Sequence, residues 1–283
     1  MYCAMLKAPF NNFDTFLFDG DGVLYKEDEP LPDVLKTLST LKKMGKKIYI
    51  LTNNSTKTRD EFQLKLKKIG VLIPKENILT SAYLTAQEIA SENPQANVYV
   101  IGEYGLKEEL SNAGLNVVNN WEEGNEEEIF DFNFSDIDYV ITGMDRKLTY
   151  VKIARAMNIL KNKNVRFIGT NADITFPTPN GYIPGGGAMI AILEQLSNRK
   201  IDRIIGKPNP LMYEVAEKLS ETRIDKIVMI GDRLETDILG ANRVGIKSCL
   251  VLTGVSTLED VSNSDEELQP DIIISQLSDI LVG

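Results

Sequence analysis

The chain has 283 residues, a formal net charge of −10 and no histidine. At roughly 150 residues per domain this length predicts about two domains, and the hydrophobic share of 43% is sufficient for a buried core. The negative charge argues against nucleic acid or a membrane surface as a partner, and the lack of histidine excludes His-dependent triads and His-ligated zinc sites.

Strand-like apolar runs alternate with amphipathic helical stretches along almost the whole chain. The predicted strands are Phe13–Phe18, Lys47–Leu51, Asn97–Ile101, Tyr139–Gly143, Arg166–Gly169, Arg203–Ile205, Ile227–Ile230, Ser248–Leu252 and Asp271–Ile274. The predicted helices are Leu31–Met44, Arg59–Ile69, Ser81–Glu92, Gly105–Ala113, Thr149–Lys161, Ala188–Leu196 and Leu211–Leu219. This alternation predicts a parallel sheet wrapped by helices, and the elements between Asn97 and Gly169 could form a second, smaller α/β unit.

Location and redox state follow from the remaining composition. No apolar stretch reaches the roughly 18 residues of a membrane span, and residues 1–10 lack the apolar centre of a signal peptide, so we expect a cytoplasmic protein. The two cysteines, Cys3 and Cys249, should then stay reduced. Eight acidic residues, with Asp138 included, and no basic residue stand in the stretch from Trp121 to Asp138. A solvated loop or helix face is favoured there over an acidic segment that docks a partner.

Two acidic residues follow the first predicted strand. Asp19 and Asp21 stand there in the sequence Asp-Gly-Asp-Gly. Carboxylates this close repel each other unless a cation lies between them or one of them holds a proton. The pair therefore suits a nucleophilic carboxylate beside a carboxylic acid that donates and accepts protons. A polar turn capped by Asp21 is the structural alternative.

A second acidic pair follows a later strand. Asp232 stands just beyond Ile227–Ile230, and Asp237 comes five residues later at the entrance of a helix. Helix entry alone could explain Asp237. Carboxyl ends of parallel strands lie at the ligand-binding edge of an open sheet, however, and the four acids together supply the oxygen ligands that Mg²⁺ prefers.

Polar and basic residues at two further strand ends could bind phosphate. Thr52-Asn53-Asn54-Ser55 follows the strand at Lys47–Leu51, and Lys207 stands between Gly206 and Pro208. Hydroxyl and amide groups can hold a phosphate, and a lysine can neutralise its charge. Turns are rich in these residue types in any case, so each motif alone leaves a plain turn as the alternative.

The order of these motifs resembles that of one known family. Asp19-x-Asp21-Gly22, Thr52-Asn53-Asn54, Lys207 and Gly231-Asp232-x4-Asp237 are similar to the four motifs of the haloacid dehalogenase superfamily of phosphohydrolases. Other stretches resemble its group of p-nitrophenylphosphatases, phosphoglycolate phosphatases and pyridoxal phosphatases, namely Thr52–Ser55, Gly169–Asp173, Pro184–Gly187, Gly206–Pro208 and Gly231–Ile238. The resemblance extends from about Phe16 to Leu252.

This resemblance implies a fold and a domain arrangement. It implies an α/β fold in which a Rossmann-like, doubly wound parallel sheet forms the core and an α/β cap domain is inserted into it. The core would comprise residues 1–94 and 201–283, and the cap residues 95–200. A homodimer formed through the cap is also compatible with the resemblance.

The resemblance also implies the roles of the acids. Asp19 would be the nucleophile that forms an aspartyl-phosphate, and Asp21 the acid that protonates the leaving group and later activates water. Mg²⁺ would be held by the Asp19 carboxylate, the Asp21 backbone carbonyl and Asp232, with Asp237 supporting it directly or indirectly. Magnesium and a lysine are needed because an anionic nucleophile attacks an anionic phosphate.

Substrate binding would involve both parts of the chain. Thr52, Asn53 and Lys207 would bind the phosphoryl group, and Asn54 would support their loop. In the cap, Asn171, Asp173 and Phe176 occupy the region from which caps of this group reach the substrate, with a tight polar turn as the structural alternative.

We therefore expect a magnesium-dependent phosphatase of small phosphate monoesters, such as p-nitrophenyl phosphate in vitro and phosphoglycolate, a nucleotide, a sugar phosphate or pyridoxal phosphate. A phosphoryl transferase that passes the phosphate to a second substrate is the alternative enzyme. A non-catalytic phosphometabolite-binding protein is the third hypothesis, which the complete set of acids disfavours.

Overall fold

Buried apolar strands and the helices between them account for most of the chain. The computed structural model describes residues 5–119, 125–178 and 180–282. The strands are β1 (Thr15–Phe18), β2 (Tyr25–Lys26), β3 (Glu29–Pro30), β4 (Lys47–Thr52), β5 (Ile78–Thr80), β6 (Asn97–Ile101), β7 (Asn116–Val117), β8 (Tyr139–Thr142), β9 (Arg166–Gly169), β10 (Thr175–Thr178), β11 (Gly181–Pro184), β12 (Arg203–Ile204), β13 (Ile227–Gly231), β14 (Lys247–Val251) and β15 (Ile272–Ile274).

The helices lie between these strands. The α-helices are α1 (Val34–Lys43), α2 (Arg59–Lys68), α3 (Ser81–Glu92), α4 (Tyr104–Asn112), α5 (Tyr150–Ile159), α6 (Gly186–Ser197), α7 (Leu211–Ser220), α8 (Leu239–Val244) and α9 (Leu258–Asn263). A π-helical turn, Leu234–Ile238, leads directly into α8. Short 3-10 helices lie at Phe10–Asn12, Lys75–Asn77, Glu126–Glu128, Ile224–Lys226, Glu266–Leu268 and Leu277–Ile280.

The chain divides into two compact units. The first comprises Met1–Thr52, Glu61–Leu79 and Lys207–Gly283, and the second comprises Asn53–Asp60 and Thr80–Gly206. The second unit thus includes more of the chain than the insertion of 95–200 that the sequence predicts. The difference consists mainly of α3 and the segment 53–60, both of which belong to the second unit.

In the first unit, six of the described strands form one sheet in the order β15-β14-β13-β1-β4-β5, and β2 and β3 form a separate antiparallel pair. The pairs β1–β13, β1–β4, β13–β14 and β14–β15 are parallel. The chain winds outward from β1 in both directions, which is the doubly wound arrangement. Phe16, Leu17 and Phe18 are all fully buried, as expected for a strand that is covered on both faces.

Parallel pairing brings the ends of three strands to one edge. Phe18 is in register with Ile230 of β13 and with Ile50 of β4. The residues that follow β1 and β13, together with Thr52 at the end of β4, therefore lie at the same edge of the sheet. This edge is where open α/β sheets bind ligands.

Helix α1 shows how the sequence sets the bounds of an element. Its apolar side chains Val34, Leu38 and Leu41 are buried on one face, and Gly45 after it has a φ of 72°. That left-handed conformation ends the helix at little cost for glycine. The helix starts later than predicted, because Asp33 has a φ of 59° and is itself left-handed.

The second unit has its own parallel sheet, in the order β12-β9-β8-β6-β7. The pairs β12–β9, β8–β9, β6–β8 and β6–β7 are parallel. Its core includes Tyr99, Val140, Phe167 and Leu193, which are fully buried. The α/β class, with a parallel sheet in each unit, is therefore confirmed.

The segment 53–60 is held at the carboxyl end of this second sheet. The amide of Gly105 donates to the Thr56 carbonyl at 3.2 Å, and the amide of Met144 donates to Ser55 Oγ at 3.2 Å. A Cβ at residue 105 would lie 2.3 Å from the Lys57 backbone, so only glycine allows this approach. These contacts explain why the segment belongs to the second unit.

A β-hairpin in the second unit has no counterpart among the predicted strands. β10 and β11 pair antiparallel, with Phe176 opposite Ile183. Strands are predicted from alternating apolar residues, and Pro177 and Pro184 interrupt that alternation. Proline lacks the N–H donor, but it is tolerated in strands at the edge of a sheet. The hairpin is therefore a product of its turn and of its packing on α6.

Several sequence features fall partly outside the described residues. Cys3 and residues 121–124 of the acidic stretch lie outside them. Glu126 and Glu127 are exposed, as expected of a solvated segment. Phe132, in contrast, packs edge-on against Tyr99, with 5.5 Å between the ring centroids. Cys249 is a buried, free cysteine, and burial raises the pKa of its thiol. Among the described residues, no helix has the length and apolar character needed to cross a bilayer.

Candidate active site

Lys207 forms the centre of the acidic cluster in the first unit. Its Nζ atom donates to Asp19 Oδ1 and to Asp237 Oδ1, both at 2.6 Å, and to the Leu51 carbonyl at 2.9 Å. The lysine side chain is only 2% exposed. A buried ammonium is tolerated where carboxylates and a carbonyl replace its lost water, and Lys207 has all three partners.

Asp232 lies beside this group at the end of β13. Carboxylate oxygens of Asp19, Asp232 and Asp237 all lie within 4.8 Å of one another. Oδ2 of Asp232 accepts a hydrogen bond from the Val255 amide at 2.9 Å, while its buried Oδ1 has no hydrogen-bond partner among the described residues. An unpartnered buried carboxylate oxygen is costly unless something else binds it.

Two glycines leave room for the Asp232 side chain. A Cβ at Gly22 would lie 2.5 Å from Asp232 Oδ2, and one at Gly254 would lie 1.9 Å from the same atom. Gly22 also has a φ of 80°, which an L side chain rarely adopts. The sequence thus permits the loops after β1 and β14 to close around this carboxylate.

The charges in the cluster shift one another's proton affinities. Burial raises the pKa of Asp19 from its ordinary 3.8 to about 6, and Asp237 adds to this effect while Lys207 opposes it. Burial also raises the pKa of Asp232 well above its usual range, with further increases from Asp19 and Asp237. Burial by itself would lower the pKa of Lys207, but the two carboxylates outweigh it and hold that pKa above its ordinary value.

These residues suit a bound divalent cation. The cluster has three carboxylates and one ammonium, which pairs with Asp19 and Asp237, so the fully ionised cluster carries excess negative charge. A small hard cation would remove that excess and would give Asp232 Oδ1 a partner. The residues able to hold it are Asp19 and Asp232. Asp237 already accepts from Lys207 through Oδ1 and from the Arg233 amide through Oδ2 at 3.2 Å, which suits indirect support.

Asp21 lies two residues beyond Asp19 in a tight turn. The amide of Leu24 donates to the Gly20 carbonyl at 2.9 Å, and the amide of Gly22 donates to the Tyr25 carbonyl at 2.8 Å. Loss of surrounding water raises the pKa of the Asp21 carboxyl, against the opposing effect of Lys65. Among the described acids, its carboxylate is not part of the three-carboxylate cluster. A raised pKa suits a group that must hold a proton before donating it.

The polar residues after β4 divide between the two units. Thr52 is a buried residue of the first unit, whereas Asn53 and Asn54 belong to the second. Oδ1 of Asn54 accepts from the amides of Thr56 and Lys57, both at 3.1 Å. The Asn54 side chain therefore fixes the turn of its own loop, and its support of a phosphate-binding loop stays a prediction.

In the second unit, Asn171 and Asp173 are joined to Asn53. The Asn171 side-chain amide, through Nδ2, donates to the Asn53 backbone carbonyl at 3.0 Å, and Nδ2 of Asn53 donates to Asp173 Oδ2 at 3.2 Å. Asn171 Oδ1 also accepts from the Asp173 amide at 3.1 Å. A Cβ at Gly187 would lie 2.2 Å from the Ala172 carbonyl oxygen, so the glycine run packs tightly on this turn. The tight polar turn that the sequence left open is thus present.

Phe176 differs from these two residues. It lies in β10 and is 38% exposed, whereas Asn171 is 3% exposed. An exposed aromatic side chain is available to contact a ligand, while the amide of Asn171 is engaged within its own unit.

The loop after β14 and a buried tyrosine are not among the predicted site residues. Besides Val255, this loop supplies Thr253 Oγ1, which donates to the Gly22 carbonyl at 2.6 Å, and the Ser256 amide, which donates to the Asp232 carbonyl at 2.9 Å. The sequence does indicate the loop after β14, since polar residues and a glycine follow an apolar strand at that point, as they do after β1. Tyr213 gave no such signal, because it lies within an amphipathic helix.

Comparisons with known proteins identify the family. A model described as haloacid dehalogenase-like hydrolase matches residues 16–116, and a second, HAD-hydrolase-like model matches residues 204–280. The 4-nitrophenylphosphatase of Schizosaccharomyces pombe is 34% identical, over 96% of this chain and 94% of its own length. Phosphoglycolate phosphatase 1A of Arabidopsis thaliana, described as chloroplastic, is 34% identical over 96% of this chain and 77% of its own length.

A solved structure agrees with these relatives. Glycerol phosphate phosphatase from Mycobacterium tuberculosis, in complex with magnesium, superimposes with a TM-score of 0.85 and 28% identity, over 98% of this chain and 78% of its own. The likeness covers both units and both halves of the acidic cluster. The chain belongs to the haloacid dehalogenase-like hydrolase family and is an enzyme of its phosphatase group.

Proposed function

We propose that the protein is a magnesium-dependent phosphatase that hydrolyses small phosphate monoesters through an aspartyl-phosphate intermediate. The observation that carries the proposal is the arrangement of Lys207 between Asp19 and Asp237, with a third carboxylate, Asp232, within 4.8 Å. Such a cluster combines a nucleophile with a cation that can bind a phosphoryl group. The names of the relatives and the magnesium in the mycobacterial complex support it.

In the first step, an oxygen of Asp19 attacks phosphorus and the bond between phosphorus and the leaving oxygen breaks. Asp21 donates its proton to that oxygen, so the leaving group departs as an alcohol. In the second step, water attacks the aspartyl-phosphate, Asp21 takes the proton of the water, and phosphate is released with Asp19 regenerated. The raised pKa of the Asp21 carboxyl favours the proton that this step requires.

Charge neutralisation is the second requirement. Bound magnesium, held by Asp19, Asp232 and the Asp21 backbone carbonyl, would supply electrophilic stabilisation of the phosphoryl oxygens. Lys207 contributes a fixed positive charge that needs no rearrangement, because its ammonium is already held by Asp237 and the Leu51 carbonyl. Thr52 would donate its hydroxyl to the phosphoryl group. The corresponding role of Asn53 stays a prediction from its motif.

The experiment that tests the function is a screen for phosphate release. The full chain is incubated with Mg²⁺ and a panel comprising p-nitrophenyl phosphate, 2-phosphoglycolate, glycerol 3-phosphate, a hexose phosphate, a nucleoside monophosphate and pyridoxal phosphate. Release from at least one ester without an added acceptor supports a phosphatase. Release that requires an acceptor alcohol would instead indicate a phosphoryl transferase. Binding without either reaction would indicate a phosphometabolite-binding protein.

The remaining expectations concern partners and location. A homodimer through the second unit, a cytoplasmic location and the absence of nucleic-acid or membrane partners stay predictions from the sequence. Size-exclusion chromatography with light scattering would test the dimer directly.

A further inference from the structure

Tyr213 is a buried residue near the start of α7 that contacts the π-helical turn at Leu234–Ile238. Its side chain is fully buried, and its hydroxyl lies 3.1 Å from the Thr236 carbonyl oxygen and 3.2 Å from that of Asp237. The phenol has one O–H hydrogen, which these two carbonyl oxygens share as acceptors. Tyr213 therefore holds the main chain of the turn that carries Asp237.

The turn itself has unusual hydrogen bonding. The amides of Asp237 and Ile238 both donate to the Arg233 carbonyl, at 3.1 Å and 3.2 Å. Such widened turns lack the regular α-helical ladder and often occur at functional sites. The position of Asp237 therefore depends on restraints from outside the turn, of which Tyr213 is one.

The same short segment of chain holds Asp237 at two points. Lys207 bonds to the Asp237 carboxylate, and Tyr213, six residues later, bonds to the Asp237 main chain. Helix α7 begins at Leu211, between the two. Tyr213 thus lies in the first turn of the helix, and Lys207 lies in the segment that leads into it.

Close packing leaves little freedom around both residues. A Cβ at Gly240 would lie 2.4 Å from the Tyr213 hydroxyl, and a Cβ at Gly231 would lie 2.1 Å from the Asp237 Cβ. Both glycines therefore permit an approach that any other residue would prevent. The packing favours a single position for the Asp237 carboxylate.

We propose that Tyr213 is a positioning residue for the phosphatase reaction: by fixing the turn, it holds Asp237 against Lys207 and so keeps the Lys207 ammonium beside Asp19. The inference rests on the proposed function. Because misplacement of a catalytic group by about 1 Å can cost up to about 100-fold in rate, loss of one restraint should be visible in kinetics.

The principal test is Tyr213→Phe, which removes the hydroxyl and keeps the ring. With p-nitrophenyl phosphate and saturating Mg²⁺, we expect kcat/KM of the full chain to fall about 10-fold. Competitive inhibition by inorganic phosphate should weaken in parallel, because the Lys207 charge is no longer fixed. A residue that only stabilises the fold would move neither value at a temperature well below Tm.

Tyr99→Phe is the matched control. Tyr99 is also fully buried, and its hydroxyl lies 3.4 Å from the Lys152 carbonyl oxygen in the second unit. The control variant should show wild-type kcat/KM and wild-type inhibition by phosphate.

A double-mutant cycle tests the route through Asp237. In an Asp237→Asn background, Tyr213→Phe should lower kcat/KM by less than about twofold, because coupled residues are not additive. The dissociation constant of inorganic phosphate gives the same comparison without turnover. Two results would overturn the inference. One is an unchanged kcat/KM in folded Tyr213→Phe. The other is that Tyr213→Phe lowers kcat/KM as much in the Asp237→Asn background as it does in the wild type.

A second variant covers the case in which Tyr213→Phe does not fold. Gly240→Ala places a methyl group against the Tyr213 hydroxyl and should also lower kcat/KM and weaken inhibition by inorganic phosphate. Unchanged kinetics in this variant would refute the positioning role. An inactive wild-type chain in this assay would refute the proposed function itself. An active wild type with unaffected variants would refute only the role of Tyr213.

Discussion

Lys207 and Asp19 are 188 residues apart in sequence, yet their charged groups lie 2.6 Å apart in the first unit. The pair is possible because Asp19 directly follows the central strand β1 and Lys207 precedes the helix α7. Lys207 retains Asp237 as a second partner, also at 2.6 Å. Removal of the Asp19 charge would therefore leave a buried but still paired ammonium, so activity and folding can be tested separately.

Asp19→Asn should abolish phosphate release while the fold is retained, because an amide cannot form the aspartyl-phosphate. We expect kcat to fall by more than about 10⁴-fold, measured with p-nitrophenyl phosphate. Asp14→Asn is the matched control, since Asp14 precedes the same strand at its opposite end and forms an exposed ion pair with Lys46. Substantial turnover by folded Asp19→Asn protein would contradict the nucleophilic role.

Asp21→Asn should lower steady-state turnover by about 100-fold or more, because both proton transfers depend on this carboxyl. The p-nitrophenolate ion is a good leaving group without protonation. A pre-steady-state burst of p-nitrophenol should therefore persist while hydrolysis of the phosphoenzyme becomes slow. Asp28→Asn, at an exposed residue of the neighbouring β2–β3 hairpin, should behave as wild type. Equal slowing of burst and steady state would argue against a role in the second step.

Metal removal should silence the enzyme. EDTA should abolish phosphate release and Mg²⁺ should restore it, whereas Ca²⁺ should substitute poorly because its longer, looser coordination misplaces the nucleophile. Asp232→Asn should raise the Mg²⁺ concentration needed for half-maximal activity. It should also reduce the increase in Tm that Mg²⁺ gives, which can be measured without turnover. Full activity in metal-free buffer would exclude the predicted metal dependence.

The metal-free protein should respond to pH through Asp19. Its folded-state pKa of about 6 lies above the ordinary 3.8, so the folded chain binds this proton more tightly than the unfolded chain does. The resulting stability is fully present below the unfolded pKa and is lost as pH rises through the folded pKa. Between pH 4 and 7, Tm of the wild type should therefore fall relative to that of Asp19→Asn.

Magnesium should reverse this trend. It requires the ionised carboxylate, so the Tm increase that Mg²⁺ gives should be larger at about pH 7.5 than at about pH 5. Thermal unfolding with and without Mg²⁺ at both pH values measures this directly. A Tm difference between wild type and Asp19→Asn that does not vary with pH would contradict the raised pKa.

Selectivity among esters should depend on Phe176. The residues that bind the phosphoryl group act on every ester alike, so discrimination requires contacts with the leaving group. Phe176→Ala should change the ranking of kcat/KM across at least three esters without changing the Mg²⁺ requirement. Tyr182 is 77% exposed and pairs with Pro177, the next register position, so it lies on the opposite face of the hairpin. Tyr182→Ala should preserve the ranking.

Asn171→Ala provides a contrast in the same unit. Its hydrogen bonds to Asn53 and Asp173 give it a structural role, so the variant should lower Tm. Its predicted effect on the ranking of esters is tested in the same assay. An unchanged ranking in both Phe176→Ala and Asn171→Ala would place selectivity elsewhere in the second unit.

The sequence by itself determined the fold class and the main acidic residues. Apolar strands that are followed directly by Asp19 and Asp232 can be recognised without structure, because burial on both faces requires continuous apolar runs. Parallel pairing then requires their ends to meet at one edge. The same apolar pattern did not predict the strands of the β10–β11 hairpin, because prolines interrupt it there.

Only the tertiary structure decided which atoms meet. No local pattern indicates that Lys207 bonds to Asp237, that Asp232 Oδ1 lacks a partner, or that Asn171 is engaged by Asn53. These relationships join residues far apart in the chain, and their geometry follows from the packing of strands and helices. Tyr213 is the clearest case, because a buried tyrosine in an amphipathic helix looks like core in sequence, and its contact with the Asp237 main chain exists only after folding.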